Sequence, residues 1–411
     1  MPLRPAFAPA TLPSAPFTST RSAARRSVVL VSAVLASALA LAGCAGSSGP
    51  ATPAPSAPAG AVDLAAVCPK TVSLQTDWYP EAEHGLFYQL LGSSYTIDSA
   101  HKSVSGPLMS HGKPTGVTLK INAGGPAIGY QHVSTQLYQH PDITLGFVGT
   151  EDSIEYSKTL PTTAVFAPLN LSPFMIMWDP AKYPAVSTLP QLGAALKASG
   201  GVVRYFSGSA YMQYLISKGI FAKSSTDGSY DGTPANFVAR QGKDAQQGFA
   251  SAEPYIYAHE VKAWDKDVKY ALLSTVGWTS YASSISVRTS ALASLSGCLS
   301  KLVPVMQQGL VDYLTNPAPT NALILKLDHT YSKSWPYTLA VANFAVTSMK
   351  QNKIISDGGA NYVGSFDPAR VQNMMSIAGP LFAQSGTMSP TVKATDLYTN
   401  RFLSTSIALG Y

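Results

Sequence analysis

Apolar and polar positions first alternate over Thr71-Val72-Ser73-Leu74-Gln75, the period of two expected of a strand with one buried face. Asp77-Trp78-Tyr79-Pro80 ends that run, because Pro80 cannot donate to a ladder. Helical spacing follows over 83–91, with Gly92 as its stop. A second strand is predicted over 117–121, closed by Gly124-Gly125-Pro126, then a helix over 127–138 and a strand over 143–148. Two apolar strands, 164–169 and Phe174–Trp178, are separated by Ser172-Pro173.

The middle of the chain repeats this logic. It reads as a helix over 188–198, a buried strand over 202–206, a turn at Ser207-Gly208-Ser209 and a helix over Ala210–Ser217. A further helix is predicted over 244–250, and strands over 270–273 and 284–287. The last third is helical in pattern, over 295–313, 337–351 and 368–377. Strand and helix alternating in units of about 30 residues indicate parallel α/β architecture. No tandem repeat interrupts it.

The N-terminal pattern differs. Arg21, Arg25 and Arg26 precede an apolar run from Val28 to Ala42, and Leu41-Ala42-Gly43-Cys44 has the layout of a lipoprotein signal peptide. Fifteen apolar residues are short for a membrane span, which takes about twenty. The expectation is a signal peptide over 1–43, lipidation at Cys44 and a mature protein tied to the outer face of the cell membrane. Arg25-Arg26 leaves twin-arginine export open beside the general route. Residues 44–66, rich in Ala, Ser, Gly and Pro, read as a tether that cannot bury a core.

Charge changes the picture little. The formal net charge is +6, and four of the arginines lie before Cys44 with no acid among them, so the exported part carries about +2. No Lys/Arg cluster follows Cys44, which argues against nucleic acid as a partner. Only 12% of residues are charged, against 46% hydrophobic and 21 Tyr, as suits a large buried body. About 345 residues remain after the tether, more than one core usually serves, so two lobes are expected. Besides Cys44 there are Cys68 and Cys298, an even pair that in an oxidising compartment most simply forms a disulfide; two buried free thiols are the alternative.

Catalytic signatures are missing. There is no Gly-x-Ser-x-Gly, His-Glu-x-x-His, Walker loop or Cys-x-x-Cys, and the seven His lack metal-ligand spacing. Asp227-Gly228-Ser229-Tyr230-Asp231-Gly232 reads as a turn, without the closing Glu of a calcium loop. Three clusters are candidates for binding. Asp77, Trp78, Tyr79, Glu83 and His84 follow the first strand, where open α/β sheets receive ligands; the same Trp suits a core and the same acids a solvated face. Ser207, Gly208, Ser209 and Tyr211 open a helix, as an acceptor site or as a plain N-cap. Glu253 and Tyr255 flank Pro254, which fixes the backbone there; a strand edge with one solvated acid is the alternative.

Together these clusters resemble the solute-binding proteins for thiamine pyrimidine precursors and their nitrate and alkanesulfonate relatives. Asp77-Trp78-Tyr79-Pro80 with His84-Gly85 is similar to that family's opening segment, and Asp396-Leu397-Tyr398-Thr399-Asn400-Arg401-Phe402 to its closing one. Phe206-Ser207-Gly208-Ser209 and Ala252-Glu253-Pro254 stand where the family has its second-lobe loop and hinge-side acid. The first-lobe signature Gly-x-x-Asp-hydrophobic-Gly is replaced by Leu145-Gly146-Phe147-Val148-Gly149-Thr150-Glu151-Asp152, and the cysteine run of the pyrimidine-synthase branch is missing.

The resemblance implies an α/β, two-lobed type II periplasmic-binding-protein fold with a ligand cleft between lobes. Lobe one would span 67–168 and 281–411, and lobe two 169–280, with Cys68 and Cys298 both in lobe one. It further implies a monomeric, non-enzymatic receptor of an ABC importer, without cofactor or metal, partnered by a permease and an ATPase. A small heteroaromatic vitamin precursor leads the ligands, with riboflavin-like and nitrate or sulfonate ligands behind. Trp78 and Tyr79 would line the ring, Asp77 or Glu83 accept from it, the Ser207-Gly208-Ser209 turn donate, and Glu253 and Tyr255 close from the other side. A pyrimidine-forming enzyme and a non-transport surface lipoprotein are the rival classes.

Overall fold

The computed structural model describes residues 61–332 and 337–411; Cys44 and the signal before it lie outside them. Twelve strands among the described residues form two sheets. They are β1 (Thr71–Gln75), β2 (Thr96–Asp98), β3 (Ser103–Ser110), β4 (Lys113–Asn122), β5 (Leu145–Val148), β6 (Thr162–Phe166), β7 (Phe174–Trp178), β8 (Val203–Arg204), β9 (Thr226–Asp227), β10 (Ala245–Phe249), β11 (Lys269–Leu272) and β12 (Ser284–Arg288). The seven-stranded sheet has the order β2-β3-β4-β1-β5-β12-β6, and the five-stranded sheet the order β11-β7-β10-β8-β9.

The β1 strand runs parallel to β4 and β5, and β8 runs parallel to β9 and β10. All these parallel strands therefore deliver their following loops at a carboxyl edge, where backbone groups are free of the ladder. The chain passes between the sheets twice, after β6 and before β12. One core runs from Val72, Leu74, Phe147 and Ile285 through Met175 and Met177 of β7 to Tyr257. A second gathers Ile176 and Trp178 with Leu189, Leu192 and Leu196, and with Phe366 and Val371 near the C-terminus.

Several expectations are corrected. Residues 244–250 form no helix, because Ala245–Phe249 is the buried strand β10 between β7 and β8. Its Ala and Gln favour a helix locally, but ladder pairing on both sides outweighs that preference. The helix expected over 127–138 is a 3-10 turn, Gly125–Ile128, followed by Val133–Gln139. The hairpin β3–β4 and the helix Ala318–Tyr331 went unread. Leu64 is fully buried and its N–H donates to Thr115 O at 2.9 Å, so packing begins inside the segment read as tether. Cys68 and Cys298, the latter in the helix Ser296–Thr315, are joined by a disulfide with their Cα atoms 4.6 Å apart.

Candidate functional site

Loops from the carboxyl edges of both sheets meet in one place. From the seven-stranded sheet comes 76–85, directly after β1. It enters the 3-10 turn Ala82–His84 and the helix Gly85–Gln89, whose close approach to Tyr313 requires glycine: a Cβ on Gly85 would stand 2.2 Å from the Tyr313 ring. His84 is buried against Phe147, ring centroids 4.9 Å apart, with its Nε2 2.7 Å from Asp77 Oδ1. Asp77 Oδ2 accepts from Ser283 Oγ at 2.7 Å, which fixes the carboxylate at the start of β12. Glu81, 8% exposed, has its carboxylate 3.8 Å from the same His84 Nε2 and takes part in no side-chain hydrogen bond among the described residues.

The five-stranded sheet answers with the loop after β10. Ser251 Oγ donates a short hydrogen bond to Glu83 Oε1, linking the two sheets' loops directly. Glu253, also buried, accepts from Phe249 N at 2.7 Å. Four carboxylates, Asp77, Glu81, Glu83 and Glu253, thus surround His84 or sense one another. Burial raises Glu81 well above the ordinary carboxyl value, and the charges of Glu83, Asp77, Glu253 and Asp328 push it further. Burial also raises Glu83, with the Ser251 hydroxyl pulling the other way. Glu253 is pushed up to about 7, again chiefly by burial, against its backbone hydrogen bonds.

Asp328, on the helix Ala318–Tyr331, adds a fifth acid behind this group. It is fully buried, neither of its carboxylate oxygens has a hydrogen-bond partner, and burial pushes it up to about 7. Its charge acts on Glu81 and Tyr79.

Four rings stand beside the acids. Trp78 and Tyr130 come from the seven-stranded side, Phe206 and Tyr230 from the five-stranded side. Ring centroids lie 5.9 Å apart for Trp78–Tyr130, 6.1 Å for Trp78–Phe206, 5.9 Å for Tyr130–Phe206 and 4.9 Å for Phe206–Tyr230. Trp78 has its place because Gly125 is glycine: at φ +57° a Cβ there would meet the indole at 2.5 Å. Tyr130 holds φ +60°, an unusual conformation for a non-glycine residue, and its ring is 55% exposed. Gln247 Oε1 positions Phe206 by accepting from Phe206 N at 2.7 Å and from Tyr211 Oη at 2.5 Å.

Of the residues singled out in the sequence, Asp77, Trp78, Glu83, His84 and Glu253 come together, with Tyr79 half-buried next to them. Others are engaged elsewhere. Ser207 and Gly208 are exposed, and Ser209 Oγ donates to its own turn at Phe206 O, 2.7 Å. Tyr211 supports Gln247, and the Tyr255 ring packs on His259 at 4.3 Å and Phe344 at 5.4 Å. The 227–232 segment forms side-chain turns, Asp227 Oδ1 accepting from Ser229 N and Asp231 Oδ1 from Thr233 N. Sequence reasoning missed Glu81, Tyr130, Phe206, Ser251, Ser283 and Asp328. The Phe206 signal was available, since the resemblance had already marked that loop.

Where the chain crosses between sheets, a second polar cluster forms. Arg370 donates to Thr279 O at 2.5 Å, to Ser280 O at 3.0 Å and to Asn170 O, and its guanidinium lies 3.8 Å from the Tyr281 ring centre. Ser280 Oγ donates to Glu151, while His132 Nδ1 lies 3.1 Å from Asp152 Oδ2 and is held up to about 9 by it. A cavity of about 240 Å³ near Ser157, Thr289 and Thr391, and a water-sized void beneath Ser284, lie away from the acids and rings. Among the described residues no group of His, Cys, Asp and Glu is placed to hold a metal ion, and no helix is long and apolar enough to cross a membrane.

With that geometry in view, comparison with solved structures is informative. The periplasmic aliphatic sulphonate binding protein SsuA from Escherichia coli superposes with a TM-score of 0.51 at 13% identity, over 82% of this chain and 94% of that one. The alkanesulfonate-binding protein SsuA from Xanthomonas axonopodis pv. citri, bound to MOPS, gives 0.49 at 11% identity over 81% and 99%. The periplasmic nitrate-binding protein NrtA from Synechocystis PCC 6803 gives 0.47 at 11% identity over 81% and 87%. No protein-family model matches the chain, and no curated protein matches it. The fold is therefore α/β and of the two-lobed periplasmic-binding-protein type, with two mixed sheets and the acid-and-ring site between them.

Proposed function

We propose that this chain is the extracytoplasmic solute receptor of an ABC importer, capturing a small flat heteroaromatic solute of thiamine-pyrimidine type. The observation that carries the proposal is the constellation of Asp77, Glu81, Glu83 and Glu253 beside Trp78, Tyr130, Phe206 and Tyr230, drawn from the facing carboxyl edges of both sheets. Rings supply stacking faces, and buried carboxyls supply acceptors for ring and exocyclic N–H groups. Closure of one lobe on the other would complete the site, with no bond made or broken. The name of the Escherichia coli neighbour suggests a sulfonate as a second reading. None of the side chains assigned to the site is Lys or Arg, the usual partners of a sulfonate oxygen, and this favours the heteroaromatic.

In this reading the protein acts as a monomer, held to the membrane by a lipid on Cys44, and hands its solute to a permease and ATPase. The Cys68–Cys298 bridge suits an oxidising compartment. The test is a thermal-shift screen of the purified chain with thiamine, its pyrimidine precursors, riboflavin, nitrate, taurine and alkanesulfonates. A true ligand at a hundredfold its Kd should add about 2.7 kcal/mol of stability. Small-angle scattering with the hit should show a smaller radius of gyration. A hit that leaves the radius unchanged would sink the receptor mechanism.

A further inference from the structure

We infer that the solute taken by this site carries a positive charge, on an amidinium, a protonated amine or a quaternary ammonium group attached to a flat frame. The inference rests on the receptor reading and deepens it. Four buried or half-buried carboxylates gather around His84, and among the described residues no Lys or Arg is paired with any of them. Burying unpaired carboxylates costs several kcal/mol and drives them toward the neutral form, and a cation placed among them would restore the charged form and gain the interaction.

Among the described residues, two acids have no such partner. Glu81 is more than nine-tenths buried, faces the acid group through His84 Nε2, and has no hydrogen-bond donor. Asp328, fully buried behind it, has both oxygens without a partner. On the five-stranded side, Arg204 is already shared between Asp227 at 2.8 Å and Asp244 at 2.9 Å. A bound cation would satisfy the acids, whereas an anion would meet their repulsion.

The rings point the same way. Trp78 and Tyr130 meet Phe206 and Tyr230 from the two sheets, and aromatic faces attract a cation through their quadrupole. Carboxylates with aromatic rings beside them are the chemistry that recognises an organic cation. They fit a sulfonate or nitrate poorly.

The test uses three probes on one frame, namely benzamidine, benzamide and benzenesulfonate, titrated calorimetrically into the full chain. Benzamidine should bind at least tenfold more tightly than benzamide, and benzenesulfonate should give no heat. In the double variant Glu81→Gln, Glu83→Gln the benzamidine preference should shrink to threefold or less while Tm is kept. If that variant fails to fold, Glu81→Gln alone serves, since it removes no hydrogen bond. Benzamide or benzenesulfonate binding as tightly as benzamidine would overturn the inference. So would a preference surviving both substitutions, or a lack of binding by all three probes. The receptor reading is judged separately, by whether any solute of the wider screen both binds and compacts the protein.

Discussion

Two buried polar clusters stand at the junction of the sheets, and they treat their charges in opposite ways. At the crossing segments the Arg370 guanidinium spends its donors on the carbonyls of Asn170, Thr279 and Ser280, and Glu151 and Asp152 each have a donor or ion-pair partner. Between the carboxyl edges, Glu81 and Asp328 have no donor among the described residues, while Glu83 accepts from Ser251 and Glu253 from Phe249 N. A satisfied buried network rigidifies, whereas an unsatisfied one stores free energy that a complementary solute can release. On the proposed function, the first cluster would serve as the pivot and the second as the solute site.

The strongest way to break this contrast is Arg370→Met. It should leave three carbonyls unpaired and lower stability by about 4 kcal/mol, seen as a large fall in Tm, because charge-assisted hydrogen bonds each contribute roughly 1.5–3 kcal/mol. A change below 1 kcal/mol would remove Arg370 from the pivot. Next comes pH. Glu253 binds its proton more tightly folded, near pH 7, than unfolded, near the usual carboxyl value of 4.5, so its contribution favours the fold at low pH and is lost as pH rises to 7. That shift alone corresponds to about 3 kcal/mol between pH 4 and pH 8. His132, held up to about 9 by Asp152, acts in the same direction at higher pH. Denaturant titrations across that range should show falling stability; a rise would contradict the site's unsatisfied burial.

Trp78→Ala should weaken solute binding at least tenfold, about 1.4 kcal/mol, while leaving the pivot untouched. Unchanged affinity in calorimetry would take the indole out of the site. The smallest effect has the opposite sign. Glu81→Gln should stabilise the solute-free protein at high pH by about 1 kcal/mol, since it removes an acid whose charged form burial and its acidic neighbours disfavour. Loss of stability there would mean that Glu81 holds the fold together.

The sequence showed the scaffold better than the site. Alternation marked β1 and β12 and apolar runs marked β5 and β7, all of them strands that pair on both sides within their sheets. Strand β10 was hidden, since Ala-Gln-Gln-Gly-Phe has no apolar run and owes its state to neighbours distant in sequence. In β3, Gly106 and Pro107 broke the alternation. Asp77, Trp78 and Glu83 were legible from their place after the first strand. Glu81 was not, because Pro-Glu-Ala-Glu-His has the composition of a solvated turn, and its burial follows from tertiary packing. Tyr130 is a lone aromatic in a loop, visible only once its ring is placed against Trp78 and Phe206.

The Cys68–Cys298 bridge decides how the molecule would carry a pull. The two cysteines are 230 positions apart, and every strand of both sheets lies in the chain between them. Tension applied along the N-terminal segment, as through a tether, would pass from Cys68 through the sulfurs into the helix Ser296–Thr315. It would bypass the covalent path through the crossing segments and the loops that hold the acids and rings. On the proposed reading, a pull on the N-terminal segment would load the disulfide and that helix, and leave the loops that hold the acids and rings outside the loaded path.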